Sequence, residues 1–325
     1  MRAPDFWNNQ GLLPALLSPL GALYGFSVRA KQRGAAPFRP KARVLCVGNL
    51  TAGGSGKTPI AIACARMLMA RALKPVFLTR GYGGKLHGPI LVEPGHHRAA
   101  DAGDEPLLLA VHGPTIVSRD RAAGARLADS LGADVIVMDD GFQNFQIAKD
   151  VSLLVVDGSG GFGNGRMIPA GPLREPIAEG LARADAIVIV GAGNPPLPGF
   201  TGPVARAHLV PTAPESLIQH HVIAFAGIGR PEKFFATLAA MNVKLTLTRS
   251  FPDHHRFTAI EIAALKQAAD TAGALLVTTE KDYARLDPES RHGILAFPVH
   301  AAFTETPVVE GLLDRLVSAS KVGTT

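Results

Sequence analysis

Four clusters of polar residues in this chain have the types and spacing to hold a phosphate and move a proton. The first is Thr51-Ala-Gly-Gly-Ser-Gly-Lys-Thr58. Its glycines, Gly53, Gly54 and Gly56, let backbone N–H groups turn inward around phosphate oxygens. Lys57 can reach the β- and γ-phosphates as a point charge, and the Thr58 hydroxyl can ligate Mg²⁺. The strict pattern for such a loop, G-x-x-x-x-G-K-[ST], places glycine where this chain has Thr51, so the loop is a variant. The second cluster ends Asp134-Val-Ile-Val-Met-Asp-Asp140. An apolar run that finishes in a carboxylate can deliver Asp139, with Asp140 beside it, to a metal next to the Lys-Thr pair. The third, Gly103-Asp-Glu-Pro106, puts adjacent carboxylates at a helix start. Asp104 there reads as a helix cap, a general base or a metal ligand. The fourth is Asp253-His-His255, a loop cluster whose histidine can orient or assist a carboxylate base. Arg80, Arg119, Arg121 and Arg174 fall at predicted strand or helix ends, where guanidinium forks can clamp an anionic acceptor.

The elements that must position these groups alternate. Strands are predicted at Val44–Val47, Val76–Thr79, Ile90–Val92, Thr115–Ser118, Val135–Met138, Ser152–Val156 and Ala186–Val190. Helices are predicted at Lys57–Ala72, Glu105–Val111, Arg121–Leu131 and Ile177–Ala184. Continuous apolar strands between helices mean an α/β fold, a P-loop NTPase-like and mostly parallel sheet with helices on both faces. In such a sheet ligands bind at the carboxyl ends of the strands, where the first two clusters fall. The Pro/Gly-rich stretch 191–203 reads as a border. Beyond it a smaller α/β domain is expected, with strands His221–Ala226 and Leu275–Thr278 and helices Pro231–Met241 and Thr258–Ala272. The expected division is 1–40, an apolar segment and basic connector; 41–203, the phosphate-binding core; 204–306, the smaller domain; and 307–325, a last helix (Val308–Ala319) and tail. Gly158-Ser-Gly-Gly-Phe-Gly-Asn-Gly165 lacks Lys-Ser/Thr and a following helix, so it reads as a flexible loop rather than a second phosphate loop.

Bulk properties narrow the partners. The chain has 325 residues, 47% hydrophobic and 18% charged, enough for one large or two ordinary domains. A net charge of +6 suits phosphorylated substrates or anionic lipid surfaces. One tryptophan, three tyrosines and no basic run with interleaved aromatics argue against nucleic acid. Cys46 and Cys64, the only cysteines, read as core residues in a reducing compartment, not as a disulfide or zinc framework. Residues 6–28 carry no charge and are followed by Arg29, Lys31 and Arg33. Pro14 and Pro19 interrupt the stretch, and its charges follow rather than precede it. It reads as an interfacial membrane anchor rather than a secretory signal or a spanning helix.

Taken together, the motifs resemble the tetraacyldisaccharide 4'-kinase family. The matching residues are Gly48-Asn-Leu-Thr-Ala-Gly-Gly-Ser-Gly-Lys-Thr-Pro59, Thr79-Arg-Gly-Tyr-Gly83, Gly103-Asp-Glu-Pro106, Asp139-Asp-Gly-Phe-Gln143, Gly163-Asn-Gly-Arg166, Pro169-Ala-Gly-Pro-Leu-Arg-Glu-Pro176, Ala226-Gly-Ile-Gly-Arg-Pro231, Phe251-Pro-Asp-His254 and Thr278-Thr-Glu-Lys-Asp282. They run in order along nearly the whole chain, and the variant loop with Thr51 is also how the family looks. The resemblance implies an ATP-dependent kinase that phosphorylates the 4'-hydroxyl of a lipid A disaccharide precursor on the cytoplasmic face of the bacterial inner membrane. It implies ATP on Thr51–Thr58 (Thr51, Ala52, Gly53, Gly54, Ser55, Gly56, Lys57, Thr58), and Mg²⁺ near Thr58, Asp139 and Asp140. Asp104 would be the base and His254 its partner, with Arg80, Tyr82, Arg121, Gln143 and Arg174 around substrate and phosphates. No obligate protein partner is implied. One departure is Asn144, where the family usually has histidine. The competing reading is a membrane-associated P-loop switch NTPase without a small acceptor. The absence of a guanine-reading Asn-Lys-x-Asp weakens it.

Overall fold

The apolar runs of the first two hundred residues become strands of one sheet in the computed structural model, which describes residues 4–212 and 216–318. In chain order the first half gives α1 (Leu12–Arg33), β1 (Arg43–Gly48), α2 (Lys57–Met69), β2 (Pro75–Thr79), β3 (Ile90–Leu91), α3 (Ala99–Ala102), α4 (Asp104–Ala110), β4 (Thr115–Val117), α5 (Arg121–Ser130) and β5 (Val135–Asp139). Then come β6 (Val151–Asp157), α6 (Ile177–Leu181), β7 (Ala186–Val190), β8 (Val204–Pro211), α7 (Ser216–Gln219), β9 (His221–Ala226), α8 (Pro231–Ala240) and β10 (Lys244–Ser250). The chain continues with α9 (Ala259–Ala272), β11 (Leu275–Thr279), α10 (Glu280–Arg285), β12 (Ile294–Phe297), β13 (Val299–Phe303) and α11 (Thr306–Ser318). The last helix was expected to reach Ala319, which lies outside the described residues.

The large sheet has nine strands in the order β13-β8-β7-β6-β1-β5-β2-β4-β3. The seven from β8 to β4 are parallel, and only the two edges, β13 and β3, run antiparallel. Alternation along β1 explains the layering. Leu45 and Val47 face a core shared with α2 and α11, whereas Val44 packs with α5 and Cys46 with Phe142, Leu173 and α6. Both cysteines are buried and unpaired, and burial pushes the Cys64 thiol up to about 12.

A second, all-parallel sheet has the order β10-β9-β11-β12. Its β9 is covered by α8 on one face and α9 on the other. Sheet membership does not follow the expected border at residue 203. The strand β8 lies beyond that border yet pairs with β7 in the large sheet, and β13 returns to pair with β8. The second sheet is therefore inserted between two strands of the first. The edge strands β10 and β13, and β8 next to the edge, are only partly buried and carry no continuous apolar run. That is why the sequence pattern misses them.

The N-terminal apolar stretch forms one 22-residue helix, α1, despite two prolines. Pro14 sits in the first turn, where an N–H is not needed, and Pro19 lies inside. Gly21 and Gly25 let α1 lie against Met167: a Cβ at Gly21 would come within 3.0 Å of the Met167 carbonyl oxygen. Its other faces expose Leu12, Leu13, Leu16, Leu20, Leu23 and Phe26. The glycine-rich segment 158–165, expected as a flexible loop, is pinned at one end by Asn164. That buried amide donates to the carbonyls of Phe6, Asn9 and Ala170.

Candidate active site

The strand β1 opens into the loop Thr51–Thr58, and α2 begins at Lys57. Gly56 caps α2 with φ +83°, a left-handed conformation that favours glycine. The loop is braced from below. The Asn49 amide donates to Ser55 Oγ (3.0 Å) and Thr51 Oγ1 (3.4 Å), and Ala52 N–H donates to Pro172 O (2.8 Å). Gly53 and Gly54 have open space where a side chain would be, so the tip of the loop is a bare backbone cradle. Unpaired N–H groups at the start of α2 add a positive partial charge there.

The adjacent parallel strand β5 has Asp139 in register with Val47 of β1. The pairing brings the Asp139 carboxylate to the first turn of α2, where its Oδ2 accepts the Thr58 hydroxyl at 2.9 Å. The other oxygen, Oδ1, is buried without a protein partner. Burial pushes the Asp139 carboxyl up to about 7, the charge of Glu105 adds to the rise, and Lys57 opposes it. A buried carboxylate oxygen with no donor, beside a threonine hydroxyl, is a donor set that fits a hard divalent cation. Among the described residues there is no group of three or more His, Cys, Asp or Glu side chains that could hold a metal. A cation here would therefore lean on phosphate and water oxygens, as Mg²⁺ commonly does.

Asp140, next in the chain, faces cations. It has φ +56°, and Arg174 Nη1 donates to both of its oxygens at 2.8 Å, with Lys57 Nζ at 3.7 Å. Burial alone would raise its pKa, but Lys57, Arg174 and Arg121 outweigh that and hold it down to about 2. Asp140 thus pairs with Arg174 and, more distantly, with Lys57.

Two expected substrate contacts also turn inward. Gln143 Nε2 donates to Asn49 O (2.8 Å) and to the buried carboxylate of Glu175 (2.7 Å), which Arg183 pairs at 2.6 Å. Its amide is a brace for the phosphate loop. Arg121 is buried at the start of α5 and donates to Ser118 O at 2.9 Å. Burial lowers its pKa to about 10, with Asp140 and Asp139 pulling the other way. It supplies positive potential to Asp140 and Asp139 from a buried position. Arg80 follows β2 and is exposed. Asn144, the departure from the family pattern, closes its own turn by exchanging hydrogen bonds with Gln146.

The carboxylate Asp104 starts α4 and is buried. His254, held in a left-handed conformation (φ +57°), places Nδ1 3.2 Å from Asp104 Oδ2. The exposed ring of Tyr82 stands edge-on to the imidazole, centroids 6.0 Å apart. Two residues missed by sequence reasoning complete the cluster. Arg285 of α10 donates to Asp104 Oδ2 from Nε (2.8 Å) and Nη2 (2.6 Å), and Lys281 pairs with Glu105 at 3.0 Å and Asp104 at 3.8 Å. Lys281 lies within the quoted Thr-Thr-Glu-Lys-Asp motif, but α10 is too short and polar to show a periodic signal. Burial would raise the Asp104 pKa, yet the His254 hydrogen bond and the Lys281, Arg285 and His254 charges hold it well below the carboxylate range.

The comparisons with known proteins agree with one another. A sequence profile of the family described as tetraacyldisaccharide-1-P 4'-kinase matches residues 13–318. The tetraacyldisaccharide 4'-kinase of Paramagnetospirillum magneticum is 50% identical over 325 residues, covering 97% of this chain and 99% of the relative. The protein of the same name from Rhodospirillum centenum is 49% identical, covering 98% of this chain and 97% of the relative. Among solved structures, LpxK from Aquifex aeolicus in complex with ATP aligns with a TM-score of 0.77 at 27% identity, covering 94% of this chain and 100% of that one. Matches of this extent, on a chain with this phosphate loop and carboxylate cluster, place the protein in a family: it belongs to the tetraacyldisaccharide-1-P 4'-kinases.

Proposed function

We propose that the protein transfers the γ-phosphoryl group of ATP to the 4'-hydroxyl of tetraacyldisaccharide 1-phosphate, giving lipid IVA. Family membership carries the activity. One observation supports the assignment of the site: α4, which opens on Asp104, packs through Leu109 into the same core as α2, which opens on Lys57 and Thr58. The candidate base and the phosphate loop therefore start two helices packed in one core.

The loop N–H groups and the start of α2 cradle the phosphates, and Lys57 follows the charge of the transferring group. Thr58 and Asp139 would hold Mg²⁺, which when bound neutralises charge on the phosphate oxygens. Arg174 and Lys57, tied by Asp140, and Arg80 line the anionic side. Asp104 is ionised at neutral pH. Its contacts with His254, Lys281 and Arg285 all fall on Oδ2, so Oδ1 is the oxygen to meet the acceptor hydroxyl. A carboxylate held this low is a weak base. In a loose transition state the hydroxyl proton leaves late, so Asp104 mainly orients the nucleophile and then accepts its proton. Tyr82 offers an apolar edge for a sugar ring.

Location belongs to the same reading. The exposed leucines of α1 and the basic residues at its end suit insertion into the anionic cytoplasmic leaflet. This brings the site to an acceptor that stays in the bilayer. We also place the lobe border by sheet membership, with the smaller lobe running from α7 to β12 and both flanks belonging to the large one.

The deciding assay is transfer from radiolabelled ATP to detergent-solubilised tetraacyldisaccharide 1-phosphate, with Lys57→Ala alongside. The wild type should make a bisphosphorylated lipid and the variant none. ATP binding without any lipid product would overturn the acceptor and favour a switch NTPase.

A further inference from the structure

We infer that Arg285 is the positioning residue of the catalytic carboxylate, fixing Asp104 of the large lobe to the β9–α8 turn of the second lobe. The inference rests on the kinase reading. Its basis is one guanidinium that spends its donors on both lobes.

Arg285 and Asp104 side chains are 5% and 6% exposed. On one side, Nε and Nη2 grip a single oxygen of Asp104 at 2.8 and 2.6 Å. On the other, Nη1 donates to Gly227 O (2.7 Å) and Asp282 Oδ1 (2.5 Å). Asp282 is itself immobilised. It is fully buried, and its Oδ2 accepts Gly227 N–H at 2.9 Å and the Thr279 hydroxyl at 2.8 Å. The backbone N–H of His254 donates to the same Gly227 carbonyl at 3.0 Å. The Arg285 guanidinium and the His254 backbone, whose side chains make the two closest contacts to Asp104 Oδ2, thus hang from one carbonyl oxygen.

This geometry has a chemical consequence. Only a planar fork can satisfy a carboxylate on one side and a carbonyl plus a second carboxylate on the other; a lysine cannot. With Oδ2 saturated, the carboxylate plane is set and Oδ1 is presented in one direction. If the second lobe shifts, both holders leave together, so the acceptor site is aligned only when the lobes are docked. The charged groups around Asp104 are Arg285, Lys281 and Asp282 from α10, His254 and Asp253 from the 251–256 loop, and Glu105 on its own helix. Tyr82 abuts His254. Of these, Arg285 makes the closest contact to Asp104.

The test uses full-length enzyme with ATP and detergent-solubilised tetraacyldisaccharide 1-phosphate. Arg285→Ala should lose about 100-fold in kcat, the loss typical of a misplaced reacting group, while the ATP Kd stays at the wild-type value. Methylguanidinium added at millimolar levels should restore part of that kcat and do nothing for Asp104→Ala. The acid limb of kcat/KM should rise by about 1 pH unit or more, because an opposite charge beside the carboxylate is gone. Arg285→Lys, which keeps charge without the fork, should fall between alanine and wild type. Arg285→Ala with wild-type kcat would overturn the inference. So would a loss that methylguanidinium does not relieve and that ATP affinity follows in parallel, since that is a folding role only. A wild-type enzyme that makes no lipid product would instead sink the kinase reading, and no variant is needed to see it.

Discussion

Asp104 and Gln143 do opposite jobs with similar surroundings. Each sits in a network of charged side chains, but Asp104 keeps an oxygen for chemistry while the Gln143 amide is used up between Asn49 and Glu175. Their substitutions should therefore separate. Asp104→Ala should abolish phosphoryl transfer with ATP affinity nearly intact, as checked by calorimetry beside turnover. Gln143→Leu removes a hydrogen bond to a charged group, worth about 1.5–3 kcal/mol, from beneath the phosphate loop. It should weaken ATP binding by about tenfold or more, with the lipid KM unchanged. Equal loss of ATP affinity in both variants would contradict this division of roles.

At the scale of elements, helix starts do much of the positioning. The N-terminus of α2 forms the phosphate cradle, and α4 opens on Asp104. Helix α9, just after the loop that carries His254, opens with a full capping box. Thr258 Oγ1 accepts Glu261 N–H, and Glu261 accepts Thr258 N–H. Hydrogen bonds from the Thr258 backbone, from His255 and from the Thr258 hydroxyl hold the Glu261 carboxyl down to about 2. A depressed folded pKa means stabilisation that is complete above the unfolded value, about 4.3, and lost as pH falls toward 2. The melting temperature of Glu261→Gln should trail wild type at pH 7, and the gap should close as pH falls from about 5 to 2. A gap that is constant with pH would contradict a charged cap. Thr258→Ala should cost about 1 kcal/mol by denaturant unfolding at neutral pH.

The whole molecule has two lobes and one external helix. Leu16 and Leu23 lie seven positions apart on α1 and are 76% and 67% exposed. Burying a leucine in an apolar phase is worth about 1.5–3 kcal/mol. Replacing both with aspartate should reduce affinity for vesicles of phosphatidylglycerol and phosphatidylcholine by a hundredfold or more, roughly the sum of two such terms. Wild-type binding should also fall as salt rises, because the basic end of α1 contributes attraction that salt screens. Unchanged sedimentation with vesicles in the double variant would contradict the anchor.

The local and the global were unequally legible. The phosphate loop, the Asp139 strand and the parallel core could be read directly. Each is a short-range pattern with its own physical cause: glycine conformations, an unpaired helix start, apolar runs that must be buried on both faces. The motif series carried the family, and with it the pairing of Asp104 with His254, residues that no local pattern joins. What the tertiary structure alone decided lies at longer range. The strand β8 returned to the large sheet across a Pro/Gly-rich stretch that resembles a border, pairing with β7 on one side and on the other with β13, which arrives only after the whole second sheet. Asp140, Gln143 and Arg121 have the right types for ligand contact, and only the fold shows that Asp140 pairs with Arg174, that Gln143 Nε2 donates to Glu175 and that Arg121 Nη1 donates to Ser118 O. Arg285 falls on a short polar stretch with no pattern to single it out. It reaches Asp104 only because two lobes, each with its own sheet, meet at that carboxylate, and no periodicity within either lobe encodes that meeting.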